Sequence, residues 1–227
     1  MMRTSDFDYH LPQERIAQTP AEPRDASRLL VLHRDTGSRG GEPGIEHRKF
    51  RQLTDYLRPG DLMVFNRSRV IPARLHGVET RSGARVEVLL VRRTEPNVWQ
   101  ALGRPGRRLR VGAEVMVGSD TIGVRIEIIA THQNGLRTVR LSDEALIERF
   151  GELPLPPYIK ETPDDPNRYQ TVYADAPGSV AAPTAGLHFT DRLLDDIRAL
   201  GVKHRVGHAA RRARYISSGE RRRHRRA

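Results

Sequence analysis

The chain has 227 residues, no cysteine, a mean hydropathy of −0.60 and a formal net charge of +11. Its length allows one or two domains with a sizeable core, and the missing cysteines exclude a disulfide framework and a thiolate metal site. No apolar run approaches the ~18 residues of a membrane helix, and the opening MMRTSDFDYHLPQERIAQ lacks the apolar centre of a signal peptide, so a soluble cytoplasmic protein is expected.

The charge is uneven. Ten Lys/Arg and one acid, Glu220, lie between Lys203 and Ala227, so +9 of the +11 sits in the last 25 residues. Residues 1–202 are nearly neutral, and global charge is therefore weak evidence for nucleic-acid binding.

In chain order, Leu29–Leu32 reads as a strand and Thr36–Gly44 as a Gly/Ser-rich turn. Phe50, Leu53 and Leu57 recur at helical spacing, and Pro59-Gly60 ends that helix. From Asp61 the texture changes. DLMVFN, VIPARLHGV, ARVEVLLV, VWQAL, AEVMV, TIGVRIEIIA and RTVRL are short, rich in β-branched residues and punctuated by turn formers, which predicts an antiparallel barrel or sandwich. Ser142 caps a short helix with Asp143 and Glu144 in its first turn and Gly151 past its end. LPLPPYI is extended. Thr190 begins a last helix, with Leu193, Leu194, Ile197 and Leu200 inward and Gly201 at its end. The expected fold class is α/β plus all-β, a discontinuous α/β domain with an inserted antiparallel β-barrel. The expected bounds are 1–60 and 148–206 for the α/β part, 61–147 for the barrel, and 207–227 for a basic, disordered tail.

GxGxxG after a strand, the P-loop, HExxH and GxSxG are all missing, so a nucleotide-like substrate needs a less common loop. The strongest candidate is Gly178–Phe189, GSVAAPTAGLHF, whose small residues let backbone approach a ligand closely. Thr184 and His188 are among its polar groups. An unperturbed histidine titrates near neutrality, which makes His188 a candidate proton carrier; as a structural residue it would merely bond to backbone. Arg24, Ser27 and Arg28 form a second cluster, suited to holding a carboxylate or phosphate or else to lying solvated beside Asp25. Tyr158, Tyr169, Gln170 and Thr171 have the chemistry to stack on a base or bond its edge, and equally to pack and turn. The loop Arg104–Arg110, RPGRRLR, suits a phosphate backbone or a charged hairpin turn.

Taken together, these segments resemble one family. DFDYHLPQERIAQTPAEPRDASRLLVL, RPGDLMVFNRSRVIPARLHG, WQALGRPGRRLRVG, GELPLPPYIK, RYQTVYA and GSVAAPTAGLHFT are similar, in order, to segments of the S-adenosylmethionine:tRNA ribosyltransferase-isomerases, over residues 5 to about 202. The resemblance implies transfer and isomerisation of the ribosyl part of S-adenosylmethionine onto 7-aminomethyl-7-deazaguanine in a queuosine-type tRNA anticodon. Epoxyqueuosine forms, and adenine and methionine leave. It implies S-adenosylmethionine as co-substrate with no separate cofactor and no metal, tRNA as partner, no membrane, and a monomer. It also implies an α/β domain carrying an inserted barrel. For the site, side-chain chemistry points to His188 and Thr184 as catalytic groups, with Gly186, Arg24, Ser27, Arg28, Tyr158, Tyr169, Gln170 and Thr171 contacting substrate.

Two departures stand out. The family pattern FNDTRV is here Phe65-Asn66-Arg67-Ser68-Arg69-Val70, with Arg67 in place of the acid. After the last helix the family continues with a VTLHVGxGTFRPV-like segment, where this chain has GHAARRARYISSG. Codons for Gly207–Glu220 can be chosen so that reading one base later gives VTLHVGHGTFRPV. The tail therefore reads as an out-of-frame continuation, and the chain as given is expected to be inactive. Two other readings differ in class. A non-catalytic tRNA-binding module would use the basic tail and bind with steep salt dependence. An unrelated S-adenosylmethionine-dependent methyltransferase is disfavoured by the missing Gly-rich strand–loop–helix.

Overall fold

A computed structural model describes residues 2–33, 44–119, 121–161 and 163–207. The expected turn Thr36–Gly44, apart from Gly44, and the expected tail beyond Gly207 lie outside them. Two compact units are present. One takes in the described residues up to Ile71, Leu153–Gly178 and Ala182 to Gly207; the other is Pro72–Glu152 with Ser179–Ala181.

In the first unit, β1 (Arg28–His33) pairs antiparallel with β2 (Gly44–Lys49). Phe50–Tyr56 follows as a 3-10 helix rather than the expected α-helix. The Leu57 N–H closes on the Thr54 carbonyl at 3.2 Å in the tighter i→i+3 pattern, and Phe50 and Leu53, three apart, share a face in either kind of helix, so their spacing does not tell the two apart. β3 (Leu62–Asn66) and β4 (Ser68–Val70) come next.

The second unit is a closed antiparallel barrel. Its strands are β5 (Arg74–Glu79), β6 (Arg85–Glu95), β7 (Val98–Arg104), β8 (Glu114–Gly118), β9 (Gly123–Thr131) and β10 (Arg137–Leu141). Around the barrel the order is β10-β7-β6-β5-β8-β9, with β9 returning to β10. The alternation legible in the sequence sets the inside: Val86, Val88 and Leu90 on β6 and Val124, Ile126 and Ile128 on β9 are buried. Closure leaves no free edge for stray pairing. The ends of this unit meet, Arg74 and Glu152 exchanging backbone hydrogen bonds of 3.1 and 2.8 Å. A 3-10 turn, Glu144–Leu146, runs into α1 (Ile147–Phe150). Its cap is Asp143, whose carboxylate accepts from the Ala145 N–H at 2.9 Å, and not Ser142, whose hydroxyl accepts from the Arg125 N–H at 3.1 Å.

The chain then completes the first unit. β11 (Ala176–Ser179) pairs with β4, and β12 (Lys203–Gly207) pairs parallel with β3, Phe65 beside Val206. The insertion was expected to start at Asp61, but β3 and β4 belong to this sheet system, and the second unit begins at Pro72. Their β-branched texture matches the barrel's; only partners far later in the chain, β12 about 140 residues after β3 and β11 about 110 after β4, distinguish them. α2 (Asp191–Ala199) is capped by Thr190, whose hydroxyl accepts from the Leu193 N–H at 3.2 Å. Gly201 ends it at φ +84°, a conformation that favours glycine. Leu193, Leu194 and Ile197 pack with Phe50, Phe65, Phe189 and Val202 into one core.

Candidate active site

Three short 3-10 helices in the first unit, Arg24–Ala26, Pro166–Tyr169 and Thr184–His188, carry five of the ten candidate residues, Arg24, Tyr169, Thr184, Gly186 and His188. A proline marks each boundary: Pro23 and Pro183 are the cap residues of two, and Pro166 opens the third, where a fixed φ near −65° suits a first helical position.

Ser27 follows the first turn, and its hydroxyl lies 2.9 Å from Nδ1 of His188, 161 residues away. The His188 ring is half-buried beside Phe50, centroids 5.1 Å apart and tilted by 38°. Burial lowers its pKa below the ordinary histidine value, so the imidazole is neutral near pH 7. A histidine that folds with a lowered pKa contributes stability that is complete above its unfolded value, about 6.5, and is lost as pH falls through the lower folded value. Thermal melts between pH 7.5 and 5 should therefore show a loss of stability that His188→Gln reduces; identical pH dependence in parent and variant would contradict the assignment.

Arg24 donates to three backbone carbonyls, those of Gln170, of Asn167 at 2.9 Å and of Leu187 at 3.5 Å. It thereby holds the second and third turns against the first. Desolvation, and then Arg168 nearby, lowers its pKa, yet guanidinium stays charged at any ordinary pH. Arg28 stands exposed at the start of β1. Asp25, read in sequence only as a solvated neighbour, is 5% exposed and accepts from the Thr190 hydroxyl at 3.1 Å. It ties the Arg24 turn to the cap of α2. Pro20 and Pro23, just ahead of the RDAS stretch, were the one available signal.

Gln170 is buried, and its amide behaves like a strand partner. Oε1 accepts from the Val70 N–H at 2.9 Å and Nε2 donates to the Val70 carbonyl at 2.8 Å. Gln170→Leu should leave both Val70 groups buried and unpaired, at about 1–3 kcal/mol for each. A chemical-denaturation midpoint unchanged from the parent would refute this role. Thr171 is buried beside Gly186, where an added Cβ would meet Tyr173 Oη at 2.2 Å and Thr171 Cγ2 at 2.8 Å. Gly186 is therefore required by close packing.

Tyr158, Tyr169 and Thr184 share a different place, a groove of about 640 Å³ in the same unit, along with Leu187 and Gln18. Gln18 fixes one wall, donating to the Tyr158 carbonyl at 3.1 Å and accepting from the Lys160 N–H at 2.8 Å. The candidate residues thus fall into two groups, one lining the groove and one gathered around Ser27, Arg24 and His188. Leu187, in the groove and next to His188, joins them. Arg67 forms a bidentate ion pair with Asp175, which raises its pKa, at the end of the β3–β12 pair. A larger hollow, about 910 Å³, lies on the barrel and holds none of the expected site residues.

Among the described residues, no group of three His, Asp or Glu is placed to hold a metal ion, and no helix is long and apolar enough to cross a membrane.

The family model of queuosine biosynthesis proteins matches residues 4–206. A curated relative from Moorella thermoacetica, an S-adenosylmethionine:tRNA ribosyltransferase-isomerase, is 52% identical over 205 residues, covering 89% of this chain and 58% of the relative. One of the same name from Dehalococcoides mccartyi strain CBDB1 is 48% identical, covering 88% and 57%. The crystal structure of an S-adenosylmethionine tRNA ribosyltransferase from Thermotoga maritima is 37% identical over 88% of this chain and 56% of that one, with a TM-score of 0.35. The chain thus spans less than two thirds of the length of these relatives.

Proposed function

The chain belongs to the queuosine biosynthesis protein family, and from that premise we propose that its active form is a transferase-isomerase, working as a cytoplasmic monomer. Its substrates are S-adenosylmethionine and a tRNA carrying 7-aminomethyl-7-deazaguanine in a queuosine-type anticodon. The ribosyl part passes to the aminomethyl nitrogen, epoxyqueuosine forms, and adenine and methionine leave. The observation that carries this reading is the Ser27–His188 contact, in which two stretches resembling the family meet from opposite ends of the chain.

The reaction requires proton removal from the amine and from the ribose next to the positive sulfur. His188 suits that task because its burial keeps it unprotonated near pH 7. In the tautomer in which Nδ1–H donates to Ser27 Oγ, Nε2 keeps the lone pair and acts as base. Ser27 is then a positioning residue. Thr184, Tyr158 and Tyr169 contact substrate from the groove. Arg24 holds the backbone of residues 167–170 and 187 in shape, and Gly186, Gln170 and Thr171 support them. Arg28 supplies an exposed cation at the start of β1.

The assay is adenine release on tRNA bearing the aminomethyl base. The protein is a chain whose frame is restored from Gly207, so that VTLHVGHGTFRPV and the family sequence after it are present. Stoichiometric adenine and methionine release supports the proposal. Methyl transfer to tRNA without adenine release would overturn it.

A further inference from the structure

The barrel carries a feature that proton transfer and ribosyl chemistry leave unused. The β7–β8 connection holds Arg107, Arg108 and Arg110, and the turn after β5 holds Arg81; all four are exposed. With Glu79 they line a groove of about 670 Å³. Glu79 does little to neutralise them. It is 5% exposed, and its carboxylate is folded back on its own turn, accepting from the N–H groups of Arg81 at 3.1 Å and Ser82 at 3.0 Å and from the Ser82 hydroxyl. Among the described residues Arg107, Arg108 and Arg110 have no ion-pair partner.

The connection is also built to hold its shape. Leu109 is fully buried, and an added Cβ on Gly103 would meet its Cδ1 at 2.2 Å, so glycine makes room for it. Arg137 donates to the carbonyls of Leu109 at 2.8 Å and Gly106 at 3.0 Å. One arginine and one leucine thus fix a loop whose remaining arginines are left facing water. Exposed like charges held together raise the local free energy unless an anion arrives.

We propose that this groove is a docking surface for the phosphate backbone of RNA, Arg107, Arg108 and Arg110 each meeting a phosphate. Guanidinium bonds phosphate oxygens in pairs, and a strand of regularly spaced anions matches cations set along one loop. A concave groove fits a strand better than a flat lipid surface. The inference rests on the tRNA reading above but makes its own claim, that RNA is held by the barrel.

The test uses the full chain and an unmodified transcript of a tRNA with a queuosine-type anticodon, with Kd measured over a salt series. The variant is Arg107→Gln/Arg108→Gln/Arg110→Gln. Its side chains are exposed, so its melting temperature should match the parent's. Kd should rise at least about tenfold, and the slope of log Kd against log salt should fall by roughly 2, from losing three phosphate contacts. A control lacking three other exposed arginines, Arg51→Gln/Arg92→Gln/Arg192→Gln, should keep the parent's Kd and slope. Equal Kd and slope in parent and loop variant would overturn the surface while leaving the tRNA reading intact, as would an equal loss in the control. A parent that binds no RNA would overturn both.

Discussion

In a chain with its frame restored from Gly207, His188→Ala is expected to lower turnover by on the order of a hundredfold or more, the usual range for losing a proton-transferring side chain. The ring also packs on Phe50, so a loss by alanine alone would mix chemistry with packing. His188→Gln fills most of the same space and keeps an amide near Ser27. Both variants should therefore lose activity, while glutamine retains more stability. Ser27→Ala should cost much less, about fivefold in kcat, since a single neutral hydrogen bond is worth about 1 kcal/mol. The profile of kcat/KM against pH should show an acidic limb in the parent that the histidine variants lack. Full turnover in His188→Gln would remove the imidazole from the reaction and leave it a packing role.

The second expected result is larger. The chain as given should release no adenine above background, and the frame-restored chain should turn over. Support for this comes from where family likeness stops: the match ends at residue 206, one residue before the stretch that can be recoded as VTLHVGHGTFRPV. That position also falls at the end of β12, which lies parallel to β3 and brings Gly207 beside Asn66. Leu62 and Val64, on the face of β3 opposite Phe65, are 56% and 71% exposed. Parallel strands are ordinarily covered on both faces, and the restored sequence would supply apolar residues in place of arginines. Comparable adenine release from the two chains would show that residues 207–227 are native and the frame inference mistaken. DNA sequencing across the same codons gives an independent check.

The barrel strands were legible because a half-buried strand writes its inside and outside directly into alternate residues, as in Arg85-Val86-Glu87-Val88. The cap and stop of α2 were legible for the same local reason, Thr190 before its first turn and Gly201 after its last. What local pattern does not encode is partnership. β3 has the texture of a barrel strand, and only β12, arriving about 140 residues later, assigns it elsewhere. The site divides along the same line. Small residues around Gly186 pointed to a close approach, but that approach is to Tyr173 and Thr171. Gln170 looked free to read a base edge, and its amide is taken up by Val70. Arg24 looked free to bind an anion, and its donors meet carbonyls from residues 167 to 187. A polar side chain has the same appearance in sequence whether it waits for a ligand or completes the backbone's hydrogen bonding.

The paired hydrogen bonds between Arg74 and Glu152 bear on how such a chain can fold at all. Arg24 must find Gln170 across 146 residues, and Ser27 must find His188 across 161. Closing a flexible loop of that length costs about 2 kcal/mol more than closing one of about a dozen residues. Most barrel strands pair with their neighbours in sequence, so this unit can form from local contacts. Once formed, its two ends are pinned together, and the sequence between Arg74 and Glu152 no longer counts toward the loop. To the residues still searching for one another, the whole barrel is then a short connector, and the distant halves of the first unit become near neighbours along the chain.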